Sequence, residues 1–401
     1  MSQNADREPS LFTTALHAGR RPPPHKSTPA SPPIFPSVGY TYENLSDAAA
    51  ALAGEKKDFI YLRMSGPNQE MLEETIAAME GAEDAVCFGS GMAALYAALV
   101  AAAQKGGKIL AAAHIYGPTR KLMGWLHTAM GIEAHYVDML DLDRAAQAMR
   151  TVRPTAVILE VLTNPLVRVH DLPAIADMAH EVGAQVVVDN TFATPFLICP
   201  MDYGADVVMH SASKFLNGHG DLLAGVVAGS SALCQAMRDH RQLLGAVLGP
   251  FDAWLLLRGI RTLPVRMQYA SRAARQIAAW LSDHERIGRV FYPGLTTDPC
   301  NALASELFRR GYFGAMMAFE IAGLDKAGAF RLIDSLRLID PVTSLGHEET
   351  LISHPATASH RDLTPEARAA LGITDGTMRL SIGLEDPNDL ALDLAQAMNA
   401  V

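Results

Sequence analysis

Two short β-branched runs constrain this chain more than any other feature. Gln185-Val186-Val187-Val188 ends at Asp189, and Asp206-Val207-Val208-Met209 leads into Ser211-Ala212-Ser213-Lys214. Strands apolar at nearly every position are buried on both faces, as in a parallel sheet covered by helices. Asp189 and Lys214 then stand at the carboxyl ends of neighbouring strands, where open α/β sheets bind ligands. A lysine there can form a Schiff base with an aldehyde, and an aspartate can keep a pyridine nitrogen protonated. Pyridoxal phosphate needs that pair to act as an electron sink. A lone lysine is more often a surface residue. Here hydroxyls at Ser211 and Ser213 precede it and Asn217-Gly218-His219-Gly220-Asp221 follow it, which favours a site.

The surrounding chain has the same α/β character. AEDAVCF, KILAAAH, AVILEVL, AQVVVDN, ADVVMHS and LAGVVAGS read as strands. NQEMLEETIAAMEG, MAALYAALVAAA and LPAIADMAHEVG read as helices between them. Such alternation implies a mostly parallel sheet with helices on both faces. From about residue 263 the pattern changes. A long helix, RMQYASRAARQIAAWLSDH, precedes shorter strands such as GAMMAFEIAG and MRLSIGLED, and NDLALDLAQAMNAV closes the chain. A chain of 401 residues is too long for one small core. The expected organisation is an extended arm over 1–64, a cofactor-binding domain over 65–262, and a smaller α+β domain over 263–401. Pro22, Pro23, Pro24, Pro29, Pro32, Pro33 and Pro36 argue against any helix before residue 37. An arm of this kind packs best on a neighbouring subunit.

Composition excludes several classes. Net charge is −10 with the basic residues scattered, unlike the basic patch of a nucleic-acid binder. No apolar run approaches the ~18 residues of a membrane span, and MSQNADREPS has no signal-peptide pattern. Cys87, Cys199, Cys234 and Cys300 form no CxxC pair, so neither a disulfide framework nor a metal site is expected. The expected compartment is the cytoplasm.

Other residues fall at strand ends. Gly89-Ser90-Gly91-Met92 joins a strand to a helix, where amides and the helix dipole favour a phosphate. Such glycines are also common in plain turns. Tyr116, after KILAAAH, could stack on a flat ring or simply cap the sheet. Asn164, before Pro165, could bond a phenolate or serve a turn. Tyr61 and Arg63 are two apart, so an extended segment would point both the same way, and arginine suits phosphate. Arg379, in the alternating strand MRLSIGLED, is placed either to bind a carboxylate with two prongs or to form an internal ion pair. Gly89-Ser90-Gly91 lacks the third glycine of GxGxxG, which disfavours a nicotinamide dehydrogenase.

Taken together, these segments resemble the Cys/Met-metabolism family of pyridoxal-phosphate enzymes, from about residue 12 to the end. SASKFLNGHGD is similar to that family's signature around the cofactor lysine. TSLGHEETLISHPATASH (343–360) and GITDGTMRLSIGLED resemble further family motifs. The resemblance implies a fold type I, aspartate-aminotransferase-like large domain with a mostly parallel sheet, plus the smaller α+β domain. It implies a homotetramer of two catalytic dimers acting on a small amino acid. By position Lys214 is the Schiff-base lysine, Asp189 partners the pyridine nitrogen, and Tyr116 stacks on the ring and assists proton transfer or leaving-group departure. Gly91, Met92, Ser211 and Ser213 hold the phosphate, joined by Tyr61 and Arg63 from the partner subunit. Asn164, Ser344 and Arg379 position the substrate.

The implied activity is γ-elimination from a sulfur or homoserine-derived amino acid, giving a 2-oxo acid and ammonia. γ-Replacement, as in a sulfhydrylase or a γ-synthase, is the alternative. A non-catalytic binder of the cofactor would not need Lys214, Asp189, Tyr116 and Arg379 together. The chain departs from the family at Pro118, where methionine γ-lyases carry cysteine. It departs again at Arg241-Gln242 in place of Lys-Asp, at Thr343 in place of the glutamate of some cystathionine lyases, and at Gly66-Pro67-Asn68. These departures suggest an unusual γ-substrate, such as canavanine or an O-acylhomoserine.

Overall fold

A computed structural model describes residues 9–19 and 29–400. Strands β1 (Asp84–Phe88), β2 (Lys108–Ala112), β3 (Glu133–Val137), β4 (Ala156–Glu160), β5 (Gln185–Asp189), β6 (Val207–Ser211) and β7 (Gly225–Gly229) form one sheet. Its spatial order is β1-β7-β6-β5-β4-β2-β3. The pairs β2–β3, β2–β4, β4–β5 and β5–β6 are parallel, and only β7 runs against the rest. The central strands are apolar along their length because helices cover both faces. Val157, Ile158, Val187, Val188, Val207 and Val208 are all fully buried. Strand β3 is the one that composition hides. It is an edge strand, EAHYV, with no residue fully buried, so it carries polar residues and no apolar run.

Five loops leave the same edge of this sheet, after β1, β2, β4, β5 and β6. Gly91, Tyr116, Asn164 and Lys214 follow β1, β2, β4 and β6, and Asp189 is the last residue of β5. A second sheet closes over that edge. It is built from β8 (Ile287–Phe291), β9 (Met316–Ile321), β10 (Asp340–Pro341), β11 (Leu351–Ser353) and β12 (Thr377–Ser381), in the order β10-β11-β12-β9-β8. Arg379 lies on β12, and Ser344 on the loop from β10 to β11. The helix Leu263–Ser282 precedes this sheet, with one face buried through Met267, Ala270, Ala274, Ile277 and Leu281.

The amino-terminal region departs from the expected extended arm. A helix spans Leu11–His17 and another spans Leu45–Leu52. The first lies upstream of the proline cluster, so the prolines do not prevent it. It packs on the helix Pro67–Glu80: Thr75 Oγ1 donates to Ala18 O at 3.2 Å, and a Cβ on Gly19 would lie 2.2 Å from Met71 O. The second is capped by Asn44, whose Oδ1 accepts from Asp47 N at 2.9 Å. Pro22, Pro23 and Pro24 lie outside the described residues. Asn68 pins the later arm: its Nδ2 donates to Pro33 O, and its Oδ1 accepts from Phe35 N, both at 2.8 Å. Pro67 occupies the first turn of its helix. The Gly66-Pro67-Asn68 departure therefore starts a helix and anchors the arm.

Arg241 also has a structural setting. It is fully buried, paired with Glu73 at 2.5 Å, and donates to Met64 O at 2.6 Å and to Cys87 O at 3.2 Å. A buried ion pair adds little net stability, but removing one partner strands the other. Arg241→Met is expected to destabilise the fold by about 3–5 kcal/mol, read as a lower denaturation midpoint. Adding Glu73→Leu to that variant should recover much of the loss.

Candidate active site

Between the two sheets lies a cleft of about 200 Å³. Lys214, Asp189, Tyr116, Asn164, Ser211 and Arg379 all line it, with Glu160, Thr191, Phe192, Pro118 and Thr343. Lys214 sits on the tight turn after β6, where Lys214 N bonds to Ser211 O at 3.1 Å. Its Nζ donates to Ser344 Oγ at 2.8 Å, and Ser344 Oγ is 3.2 Å from His347 Nε2. No carboxylate pairs with this amine among the described residues. Burial, then the charge of Arg379, pull its pKa down to about 8.

Asp189 ends β5, and its register partner on β4 is Glu160. Asp189 Oδ1 accepts from Thr191 N at 2.9 Å. Glu160, which the sequence reading passed over, is 5% exposed. Its two oxygens accept from Tyr116 N at 2.7 Å and Asn164 N at 2.8 Å. One acid thus fixes the backbone of its own loop and of the loop after neighbouring β2. Burial raises the pKa of both acids, and for Glu160 the charge of Asp189 adds to it. The available signal for Glu160 was a single acid inside the apolar run AVILEVL, the same kind of signal that marked Asp189. Thr191 was missed as well: its Oγ1 accepts from Ser211 N at 2.9 Å, tying the β5 and β6 loops together.

Arg379 projects from β12 and is 5% exposed. Nη1 donates to Asn164 Oδ1 and Nη2 to Ser344 O, each at 3.0 Å, while Nε has no partner among the described residues. Phe192 covers it, with the ring centroid 5.9 Å from the guanidinium carbon. Asn164 and Ser344 therefore orient this arginine through hydrogen bonds. Burial lowers its pKa to about 10, which still leaves it charged at neutral pH.

Gly91 opens the helix Gly91–Ala103, capped by Ser90 Oγ accepting from Ala93 N at 3.2 Å. A Cβ on Gly91 would lie 2.8 Å from the Cβ and Oγ of Ser211. The glycine thus lets the helix amino terminus meet the serine hydroxyl, a corner suited to an anion. Met92 follows on the same turn, half-exposed. Ser213 lies nearby, but its hydroxyl engages the backbone of Ala224, accepting from N at 2.9 Å and donating to O at 3.3 Å. Tyr61 and Arg63 do not line this cleft. They sit on a turn closed by Met64 N to Tyr61 O at 2.8 Å, where an extended segment was expected. Arg63 lies 5.5 Å over the Tyr61 ring and donates to Gln242 O at 3.2 Å.

The departures from the family divide between scaffold and site. Pro118 and Thr343 line the cleft, whereas Arg241 is sealed in the core. No helix among the described residues is long and apolar enough to cross a membrane.

The residues fit pyridoxal phosphate: an amine with no counter-acid among the described residues, a buried carboxylate at the end of β5, and a helix terminus opened by a glycine beside a hydroxyl. This fold and this cleft define a fold type I pyridoxal-phosphate enzyme. A model of the family described as Cys/Met metabolism PLP-dependent enzymes matches residues 12–399, and the chain belongs to that family. It is 38% identical over 394 residues to L-methionine gamma-lyase of Fusobacterium nucleatum subsp. polymorphum, covering 98% of each chain. It is 38% identical over 399 residues to O-succinylhomoserine sulfhydrylase of Pseudomonas aeruginosa, covering 99% of this chain and 98% of the other. The structure of cystathionine gamma synthase from Xanthomonas oryzae pv. oryzae superposes with a TM-score of 0.91 at 36% identity, covering 98% of this chain and 99% of that one.

The Gly91 corner is open to test. Gly91→Val should weaken cofactor retention about ten- to hundred-fold, as overpacking at Ser211 displaces the helix terminus. Cofactor dissociation read from the visible absorbance, with far-ultraviolet dichroism unchanged, checks this.

Proposed function

We propose that this protein catalyses γ-elimination from a sulfur-containing or homoserine-derived amino acid, releasing a 2-oxo acid and ammonia. The observation that carries the reading is the meeting of the Lys214 amine, the Asp189 carboxylate and the Asn164-oriented Arg379 guanidinium in one cleft. Lys214 would hold the cofactor aldehyde, Asp189 its pyridine nitrogen, and Tyr116 would stack on its ring. Gly91, Met92 and Ser211 would hold the phosphate. Ser213 would support that corner through its loop, and Tyr61 and Arg63 would reach it from a partner subunit. Pyridoxal phosphate, when bound, supplies an electron sink in conjugation with the substrate nitrogen.

The chain's own groups perform the rest. Arg379 takes the α-carboxylate with the N–H groups left over from Asn164 and Ser344. The Lys214 amine, half neutral near pH 8, removes the proton at Cα and then serves the proton at Cβ. Ser344 steadies it through the bond to Nζ. Burial raises the Tyr116 pKa, so the phenol keeps its proton and can give it to the departing γ-heteroatom. Phe192 and the closing β12 strand limit water.

γ-Replacement shares the proton steps and differs only in what arrives at Cγ. The similarity to a sulfhydrylase and a γ-synthase supports it as the second reading. A homotetramer working in the cytoplasm completes the proposal. Exposed Leu45, Leu52, Leu243, Leu244 and Phe251 support a subunit interface around the arm and the 243–251 segment. The four cysteines, all unpaired, support a reducing compartment.

The test is 2-oxo acid release by the cofactor-loaded protein from methionine, homocysteine, cystathionine, O-acylhomoserines and canavanine, with and without thiol. Oxo acid without thiol is expected, and Lys214→Ala should release none. A new amino acid formed only with thiol would replace elimination by γ-replacement. Exchange of the α-proton in D2O gives the pH dependence. A base with a pKa near 8 is protonated below it, so exchange should fall about tenfold per pH unit below pH 8 and level off above it. Proton NMR of norleucine reads this directly.

A further inference from the structure

The cleft has a second guanidinium, at its outer end. Arg361 lines it with Pro118, Thr343 and Ser359. Its side chain is exposed, and among the described residues it has no ion pair. The adjacent acid, Asp362, is taken by Lys121 at 2.7 Å. The two carboxylates lining the cleft, Glu160 and Asp189, lie at its floor and accept from the amides of Tyr116, Asn164 and Thr191. The outer end of the cleft therefore carries a guanidinium that forms no ion pair among the described residues.

The backbone that carries Arg361 is held in place. Gly117 packs so closely on the facing segment that a Cβ there would lie 2.3 Å from Ser359 O. The Lys121–Asp362 pair ties the helix Gly117–Met130 to the same segment. Both contacts lock the rim to the turn that carries Tyr116. Tyr116 lines the cleft with both arginines, and the charges of Arg379 and Arg361 both act on its phenol. A substrate with its α-carboxylate on buried Arg379 and its γ-atom at Tyr116 must send the rest of its chain outward, toward Arg361.

We propose that Arg361 binds a terminal carboxylate on the γ-substituent, so the preferred substrates are amino acids acidic at both ends. The inference rests on the γ-chemistry proposed above and names its substrate class: O-succinylhomoserine in preference to O-acetylhomoserine or methionine. Arginine suits this role because its fork matches a carboxylate.

The experiment measures kcat/KM of the holoenzyme for the O-succinyl and O-acetyl esters of homoserine, with and without thiol. The variants are Arg361→Ala, Arg361→Lys and Arg361→Glu. For the succinyl ester, Arg361→Ala should lower kcat/KM about tenfold or more, chiefly through KM, as expected for a charge-assisted contact at a half-exposed site. Arg361→Glu should lower it further, and Arg361→Lys should restore much of it. The acetyl ester should stay within about twofold throughout, as for a surface charge that touches no substrate group. Binding of two amino acids without a leaving group gives a second readout: 2-aminopimelate should lose affinity in Arg361→Ala, and norleucine should not. Equal losses for both esters, or no loss for either, would overturn the role of Arg361 and leave the γ-chemistry standing. A wild-type enzyme that turns over no γ-substituted amino acid would overturn both.

Discussion

The site depends on one buried carboxylate whose oxygens are both committed. Glu160 accepts from Tyr116 N and Asn164 N, so the loops after β2 and β4 are joined at the point where the cleft begins. Without those bonds, two amides would be left unsatisfied next to a charged floor, at a cost of about 1–3 kcal/mol each. The same acid stands beside Asp189 in register. Two neighbouring carboxylates out of water raise each other's cost of ionisation, which makes the cleft floor receptive to a cation. A protonated ring nitrogen is such a cation.

The second determinant is what Lys214 lacks. Its amine meets a hydroxyl and, further off, a guanidinium, but no acid among the described residues. An amine so placed gives up its proton readily, which a nucleophile and base requires. Arg379 shows the contrasting arrangement. It remains charged in an equally dry setting, with Asn164 and Ser344 supplying oxygens to two of its nitrogens. Burial thus brings the amine close to neutrality while the more basic guanidinium stays charged.

Much of this was legible in the sequence. Continuous Val-rich runs announced the parallel strands, and the polar residues ending them, Asp189 and the Ser211–Lys214 segment, marked the cleft. Arg379 was legible for the same reason, as a charge in an apolar alternating strand. Glu160 gave that signal too, but its part depends on which amides face it across the loops. Strand β3 was hidden by its edge position, and the Leu11–His17 helix by prolines that follow it. Arg241 shows a limit of another kind. Position alone put it at a specificity site, while Glu73, 168 residues away in the chain, makes it a core residue. Tyr61 and Arg63 read as an extended pair but lie on a turn, because Tyr61 O accepts the Met64 amide.

The rim of the cleft has an evolutionary consequence. Its backbone is clamped by the Gly117–Ser359 contact and the Lys121–Asp362 pair, while the side chains it displays at 118, 343 and 361 have little part in that clamp. Lys214 and Asp189 sit on other strands and are held by other bonds, whereas Tyr116 shares the clamped turn. On the proposed γ-chemistry, selectivity would be modular: single substitutions along the rim would move the chain from one γ-substituent to another while Lys214 and Asp189 are inherited intact.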